Sequence, residues 1–580
     1  TLGAGLRCHM AVAGGDVHDS TPVLVGIGRY TFHRKGRPKN PGQAWKSPLE
    51  MLLEAARRAL RDAGQDPEGA KLDSIAHVSS ATDAQVILAS RREGTGTQKK
   101  GGPPGLGDDR FLYPNTPGVV AAALGCPGGA VQELVCTGDS GHMPQVLVSR
   151  AFEKIARGEL QSALVLGAEA LHSFNAMRAA GVTAKEVRER WGEAELTPDA
   201  VTRLRQLQRS VGLSIYPPDK TVEEANLFYT ELCRKHGLGA PHATYPILEN
   251  ALRVKLGRTL PEQQAAAASI FAEFSKVAAA DKENAWFPTA YTPEELCSES
   301  AENRRICHPF YLKRLNSVMA VDMSAALLIM SAGEARRRGV PREKWVFLHG
   351  CSEASDRLEI LERPSLCGSP AIKHAGSRAL AMAGVHDVNR EVKFLDIYSC
   401  FPVAVQVACA ELGISLEEGK PLTLTGGLPY HGGPGSNYVT HAIAAAAEKL
   451  RQHSGNARAL VTANGGYLTK HAFGVYANFP DKAAATGSWS RDDPAVCQAS
   501  VDALPRQLVA EAPTGIVGTV ETYCVRLGRE GQPELGIIVG KLDDGRRFVA
   551  NTPHGDGDML QQFVDGDPIG ATGLVTSSRG

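Results

Sequence analysis

One stretch of strand-and-helix grammar occurs twice in this chain. Ala59-Leu60-Arg61-Asp62-Ala63-Gly64 is matched by Ala379-Leu380-Ala381-Met382-Ala383-Gly384. Glu153-Lys154-Ile155, followed by Ala163-Leu164-Val165, is matched by Glu448-Lys449-Leu450, followed by Ala459-Leu460-Val461. Between these, Leu72-Asp73-Ser74-Ile75 is echoed by Leu395-Asp396-Ile397. Three matches in one order point to an internal duplication of a strand–helix unit. At 580 residues the chain is too long for one core, so two or three domains are expected.

The local patterns fit that plan. Residues 21–28 (TPVLVGIG) and 75–78 read as buried strands, and 48–63 as an amphipathic helix stopped by Gly64. Residues 144–155 read as a helix with Val148, Phe152 and Ile155 on one face, followed by a strand at 163–167. Between the halves lies a polar insertion, 175–309, with helical patterns at 184–191, 225–235, 247–256 and 262–279. A segment this long with its own helices is a cap or loop domain. Residues 484–494 read as an irregular linker. The tail from about residue 512 changes to strands, at 516–524, 535–541 and 547–551, with Asp544-Gly545 as a hairpin turn. The chain begins at Thr1. Residues 1–15 carry Arg7 and no acid, which fits either a presequence remnant or sequence upstream of a start at Met10.

Composition removes several functional classes. Sixty-three basic and 63 acidic residues balance to zero, which argues against a nucleic-acid surface spread over the protein. The tail shows no basic bias either. No apolar run reaches the length of a membrane span. The twelve cysteines include no CxxC pair, so zinc is not expected, and they read as reduced thiols of a cytoplasmic or mitochondrial-matrix protein. Neither GxxxxGK[ST] nor a GxGxxG after a strand is present, which disfavours nucleotide triphosphates and dinucleotides.

Four segments carry a family resemblance. They are residues 396–406 (DIYSCFPVAVQ), 425–444 (TGGLPYHGGPGSNYVTHAIA), 463–477 (ANGGYLTKHAFGVYA) and 546–553 (RRFVANTP). Together with the domain order they resemble the thiolase superfamily, and within it the thiolase-like proteins of type 1. The resemblance implies an α/β protein with a duplicated βαβ core layered α/β/α/β/α. It implies an N-terminal extension at 1–20, core halves at 21–174 and 310–500, the helical loop domain at 175–309, and a small all-β domain at 501–580.

A thiolase needs a nucleophilic cysteine at a helix start, an oxyanion-hole donor, a histidine on a Gly-His-Pro turn and a second cysteine as acid/base. The resemblance places Gly141, Tyr398, Gly433 and Thr462 (or Ala463) at those positions. Cys136 becomes the nucleophile only if the register shifts; otherwise it is a core thiol. The polar residues left near the centre are Cys400, His431, Asn464 and His471. Cys400 at a strand-to-helix turn and His431 on the Gly-rich turn form a candidate Cys–His pair. Asn464 reads as a turn residue, and His471 as starting or packing on a helix.

The expectation is a thiolase-like protein that takes CoA or acyl-CoA as a ligand, with nothing bound covalently, and lacks ordinary thiolysis or Claisen condensation. The alternative is a structural or accessory subunit of a larger, mitochondrial assembly. Thiolases pair through the core sheet, and the added β domain is expected to block that surface and leave a monomer.

Overall fold

Ser47 starts the first helix, Pro48–Asp62. Its hydroxyl accepts from the Glu50 N–H, and the Glu50 carboxylate accepts from the Ser47 N–H, a reciprocal cap. The buried stripe of this helix, with Met51, Leu52, Ala55, Ala56 and Ala59, lies on the strand Pro22–Thr31. Contact is so close that a Cβ on Gly26 would run into the Ala59 carbonyl, and one on Gly28 into that of Ala55. The second half repeats the device. A Cβ on Gly350, in the strand Phe347–Ser355, would run into the Ala379 carbonyl of the helix Pro370–Met382.

A computed structural model of the chain describes residues 17–32, 45–93, 112–113, 115–127, 129–217, 229–417 and 419–577. One sheet runs Pro22–Thr31, Asp322–Ser331, Ser162–Ala170, Ser74–Val78, Glu133–Thr137 and Leu213–Tyr216. A second runs Phe347–Ser355, Lys470–Ala477, Arg458–Gly465 and Phe394–Asp396. In both, the first two pairings are antiparallel and the third is parallel. Two helices, Met143–Ala156 and Tyr438–Gln452, lie between the sheets and touch both. They are buried almost all round, the condition of a helix with protein on every side. The α/β/α/β/α layering and the duplication follow from this arrangement.

One expected echo is displaced. Ser74 pairs with Ala163 and Phe394 with Ala459, which equates Ile75 with Leu395, not with Ile397. The two aspartates of the echo have unrelated work. Asp73 accepts from the Gln161 and Ser162 N–H groups, whereas Asp396 accepts from Leu424 and Thr425.

The insertion is helical, with Ala184–Arg190, Pro198–Ser210, Pro241–Lys255 and Leu260–Ala280. Of the helix expected at 225–235, only Glu231–Lys235 appears; 225–228 lie outside the described residues. The helix expected at 247 starts six residues earlier, at Pro241, with Pro246 inside it. The insertion also supplies two strands that periodicity did not reveal. Leu213–Tyr216 extends the first sheet beside Glu133–Thr137, and Cys307–His308 pairs with Val525 and Arg526 of the C-terminal sheet. The C-terminal sheet is built from Ile516–Leu527, Pro533–Leu542, Arg547–Asn551 and Thr572–Val575, with an unanticipated helix at Gly557–Asp565. Arg547, 1% exposed, fixes it to the core: it donates to both Glu521 oxygens and to the Leu361 and Arg363 carbonyls. The stretch 484–494 is irregular between Thr486 and Pro494, as expected, and it is packed. Trp489 is buried, and Asp492 accepts from Ser352 and Arg378. Among the described residues no helix is long and apolar enough to cross a membrane.

Candidate functional site

The loop 138–142 ends the strand Glu133–Thr137 and delivers Gly141 to the start of the buried helix Met143–Ala156. Facing it from the second half is Tyr398. A Cβ on Gly141 would run into the Asn464 carbonyl oxygen and sit 2.7 Å from the Tyr398 Oη. Tyr398 is itself held: its N–H donates to Thr462 Oγ1 (2.9 Å), and its ring meets Tyr438 edge-on at 5.4 Å. Three of the four positions named from the resemblance thus converge. The fourth, Gly433, faces elsewhere. Its N–H donates to the Val318 carbonyl (2.9 Å), and a Cβ there would lie 2.5 Å from Ser317 Oγ. Gly141, against a backbone oxygen, has no room for a cysteine, whereas a side chain at Gly433 would have to displace the Ser317 hydroxyl.

Cys400 stands just before the helix Pro402–Leu412, where a thiolate gains from the dipole. Burial outweighs this and pushes the thiol up to about 12. Its Sγ faces Asn464 Nδ2 at 3.7 Å. His431 occupies a different setting. Its ring meets His441 at 5.1 Å and Tyr438 at 6.0 Å, and its carbonyl accepts from the Trp286 N–H. Neither ring nitrogen has a hydrogen-bond partner, and burial, helped by Arg29, lowers its pKa to about 3. Arg29 is in turn paired with Asp281 (3.1 Å) and Glu448. No hydrogen bond joins Cys400 to His431 among the described residues. Each sits in its own neutral, buried environment.

Asn464 and His471 do come together, as opposite residues of the hairpin Arg458–Gly465 and Lys470–Ala477. Both therefore lie on strands, not in a turn or at a helix start, and His471 shares a cavity wall with Ala404 and Ala408 of the helix Pro402–Leu412. The hairpin's turn contains Leu468 at φ 48°, held by Arg363, which donates to the Tyr467 and Leu468 carbonyls and to Thr469 Oγ1. Asn464 Nδ2 also donates to Tyr245 Oη (3.1 Å), whose ring stacks on Phe401 at 4.3 Å.

Two further pairs escaped the sequence reading. His77 Nδ1 and Cys136 Sγ are 3.3 Å apart, on residues matched across adjacent parallel strands. Burial holds the thiol up at about 12 and the imidazole down at about 3, so both are neutral. Ser140 Oγ and His142 Nδ1 are 2.9 Å apart in the loop beside Gly141. The i, i+2 spacing was the available signal for the second pair; the first needed the strand register.

Residues 497–579 match the family model described as the thiolase-like protein type 1 additional C-terminal domain. A search of curated proteins returned no match. Among solved structures, the chain is similar to the monomeric SCP2-thiolase like protein type 1 from Mycobacterium smegmatis. Identity is 32% over 97% of this chain and 98% of that one, with a TM-score of 0.72. The Ltp2-ChsH2(DUF35) aldolase shares the fold at 18% identity, over 79% of this chain and 97% of that one, with a TM-score of 0.50. The repeated core, the inserted helices, the C-terminal sheet and an identity of this size over almost the whole length lead to one assignment: the chain belongs to the SCP2-thiolase-like proteins of type 1.

Proposed function

We propose that this protein binds an acyl-CoA or a related thioester and performs neither thiolysis nor Claisen condensation. The observation that carries this reading is the filling of the reaction centre. The Tyr398 hydroxyl and the Asn464 carbonyl occupy the space into which a nucleophile at position 141 would project. An acyl-enzyme needs a nucleophile with free space on its reacting side. Among the described residues the thiol in the centre is Cys400, and burial holds it in its neutral form. The nucleotide end of the ligand is assigned to the insertion, as in the thiolases this chain resembles. A monomer is part of the same proposal. What supports it is that the chain's own strand Leu213–Tyr216 occupies the edge of Glu133–Thr137.

Calorimetry with acetyl-CoA and free CoA, run beside a thiolysis assay on acetoacetyl-CoA, tests this. Micromolar binding with no thiolysis is expected. No binding up to millimolar ligand would replace it with the accessory-subunit reading, and thiolytic turnover would overturn it.

A further inference from the structure

Asn464 and His471 line a cavity of about 10 Å³, room for about one water molecule. Tyr398, Thr462, Ile372 and Phe473 form part of its wall, and all six residues are buried. The polarity of this space follows from the neighbours. Tyr245 Oη donates its one proton to the Gly466 carbonyl (3.1 Å), so it accepts from Asn464 Nδ2. That assignment makes Oδ1 the other end of the amide, and Oδ1 has no protein partner.

The imidazole completes the pattern. Burial keeps the His471 ring neutral, so it has a single N–H to offer the Leu468 and Ala463 carbonyls beside it. Its Nε2 is buried without a hydrogen-bond partner. Asp356 Oδ2, at 3.8 Å, is beyond bonding range. A neutral imidazole that donates through Nδ1 presents a bare lone pair at Nε2. A further polar atom of the wall is Thr462 Oγ1, which accepts from the Tyr398 N–H and keeps its own proton to give.

We infer that this cavity is a donor-selective site holding one water, which donates to Asn464 Oδ1 and His471 Nε2 and accepts from the Thr462 hydroxyl. Three partners is the usual complement of a buried water. A thioester carbonyl has no proton to give and would meet two lone pairs. The site is therefore opposite in polarity to an oxyanion hole, which is made of donors. It deepens the proposed function, on which it rests, by placing the acyl end of any bound thioester outside this centre.

Crystals of the full chain and of Asn464→Leu, diffracting well enough to show ordered water, test the inference. In the wild type one density peak is expected within about 3.2 Å of both Asn464 Oδ1 and His471 Nε2. In Asn464→Leu that peak disappears. If that variant does not fold, His471→Phe carries the same comparison. An empty wild-type cavity, or an acyl oxygen in it after co-crystallisation with acetyl-CoA, overturns the inference. An empty cavity with micromolar CoA binding intact removes this inference alone. A filled cavity in a protein that does not bind CoA removes the proposed function alone.

Discussion

Returning a thiol to position 141 is expected to damage the protein without restoring chemistry. In Gly141→Cys the added Cβ runs into the Asn464 carbonyl and lies 2.7 Å from Tyr398 Oη. The carbonyl belongs to a strand paired along its length with Lys470–Ala477, so it cannot swing aside. The tyrosine ring is wedged against Tyr438. Overpacking a filled core costs about 1–3 kcal/mol. With one blocker fixed and the other confined, the upper end applies, about 3 kcal/mol, or roughly a 100-fold loss in the folding equilibrium. Gly141→Ala should lose nearly as much, because Cβ is the clashing atom. Urea unfolding followed by far-ultraviolet circular dichroism reads the cost, and acetoacetyl-CoA thiolysis reads the chemistry, expected at zero. Tyr398→Phe removes one of the two blocking oxygens, so Gly141→Ala should cost about 1 kcal/mol less in that background. Gly141→Ala as stable as wild type, or no coupling to Tyr398→Phe, would refute the filled-centre argument.

The other predictions use separate parts of the molecule. His431 and His441 are neutral and unpartnered when folded, whereas unfolded histidine takes a proton near pH 6.5. Stability held above pH 6.5 is therefore lost as pH falls below it, by about 1.4 kcal/mol per unit for each ring. Burial raises Asp83 to about 7 and Glu169 to about 8, which acts in the opposite direction, so the test is a difference. His431→Leu should flatten the slope between pH 6.5 and 5 by one ring's share, and an unchanged slope would contradict the buried neutral state. Ser214→Pro removes a ladder donor opposite Val135 and should uncover the sheet edge, giving self-association by light scattering; a clean monomer would show that this strand is not the guard. Arg547→Met removes the guanidinium that donates to the Leu361 and Arg363 carbonyls of the core and should weaken attachment of the C-terminal sheet by about 1–3 kcal/mol, seen as faster proteolysis of that region alone.

The duplicated core was legible because its strands and helices are long apolar patterns that repeat. The helix 48–62, the strand 162–170 and the strands of the tail were readable from local sequence. What was hidden depends on distant partners. Leu213–Tyr216 and Cys307–His308 are strands because Glu133–Thr137 and Val525–Arg526 offer them edges, and no local periodicity records this. That His471 stands on a strand is hidden because the turn before it, with Leu468 at positive φ, is held by Arg363 from another part of the chain. At the centre, the resemblance named Gly141, Tyr398 and Thr462 as equivalents, but only coordinates reveal that the tyrosine fills the glycine's space. Cys400 and His431 were joined by chemical type. They are separated by burial environments that residue type alone does not encode.

The short strand Cys307–His308 has a consequence for how the chain is assembled. It leaves the ribosome with the insertion, yet its partner residues, Val525 and Arg526, emerge only after the second core half. Until then its outward backbone groups have no sheet to join, and the insertion cannot be finished. Removing the tail would leave that gap permanent. A chain cut after the second core half is therefore expected to be an incomplete protein rather than a smaller thiolase, a fact that bears on any attempt to express the parts separately.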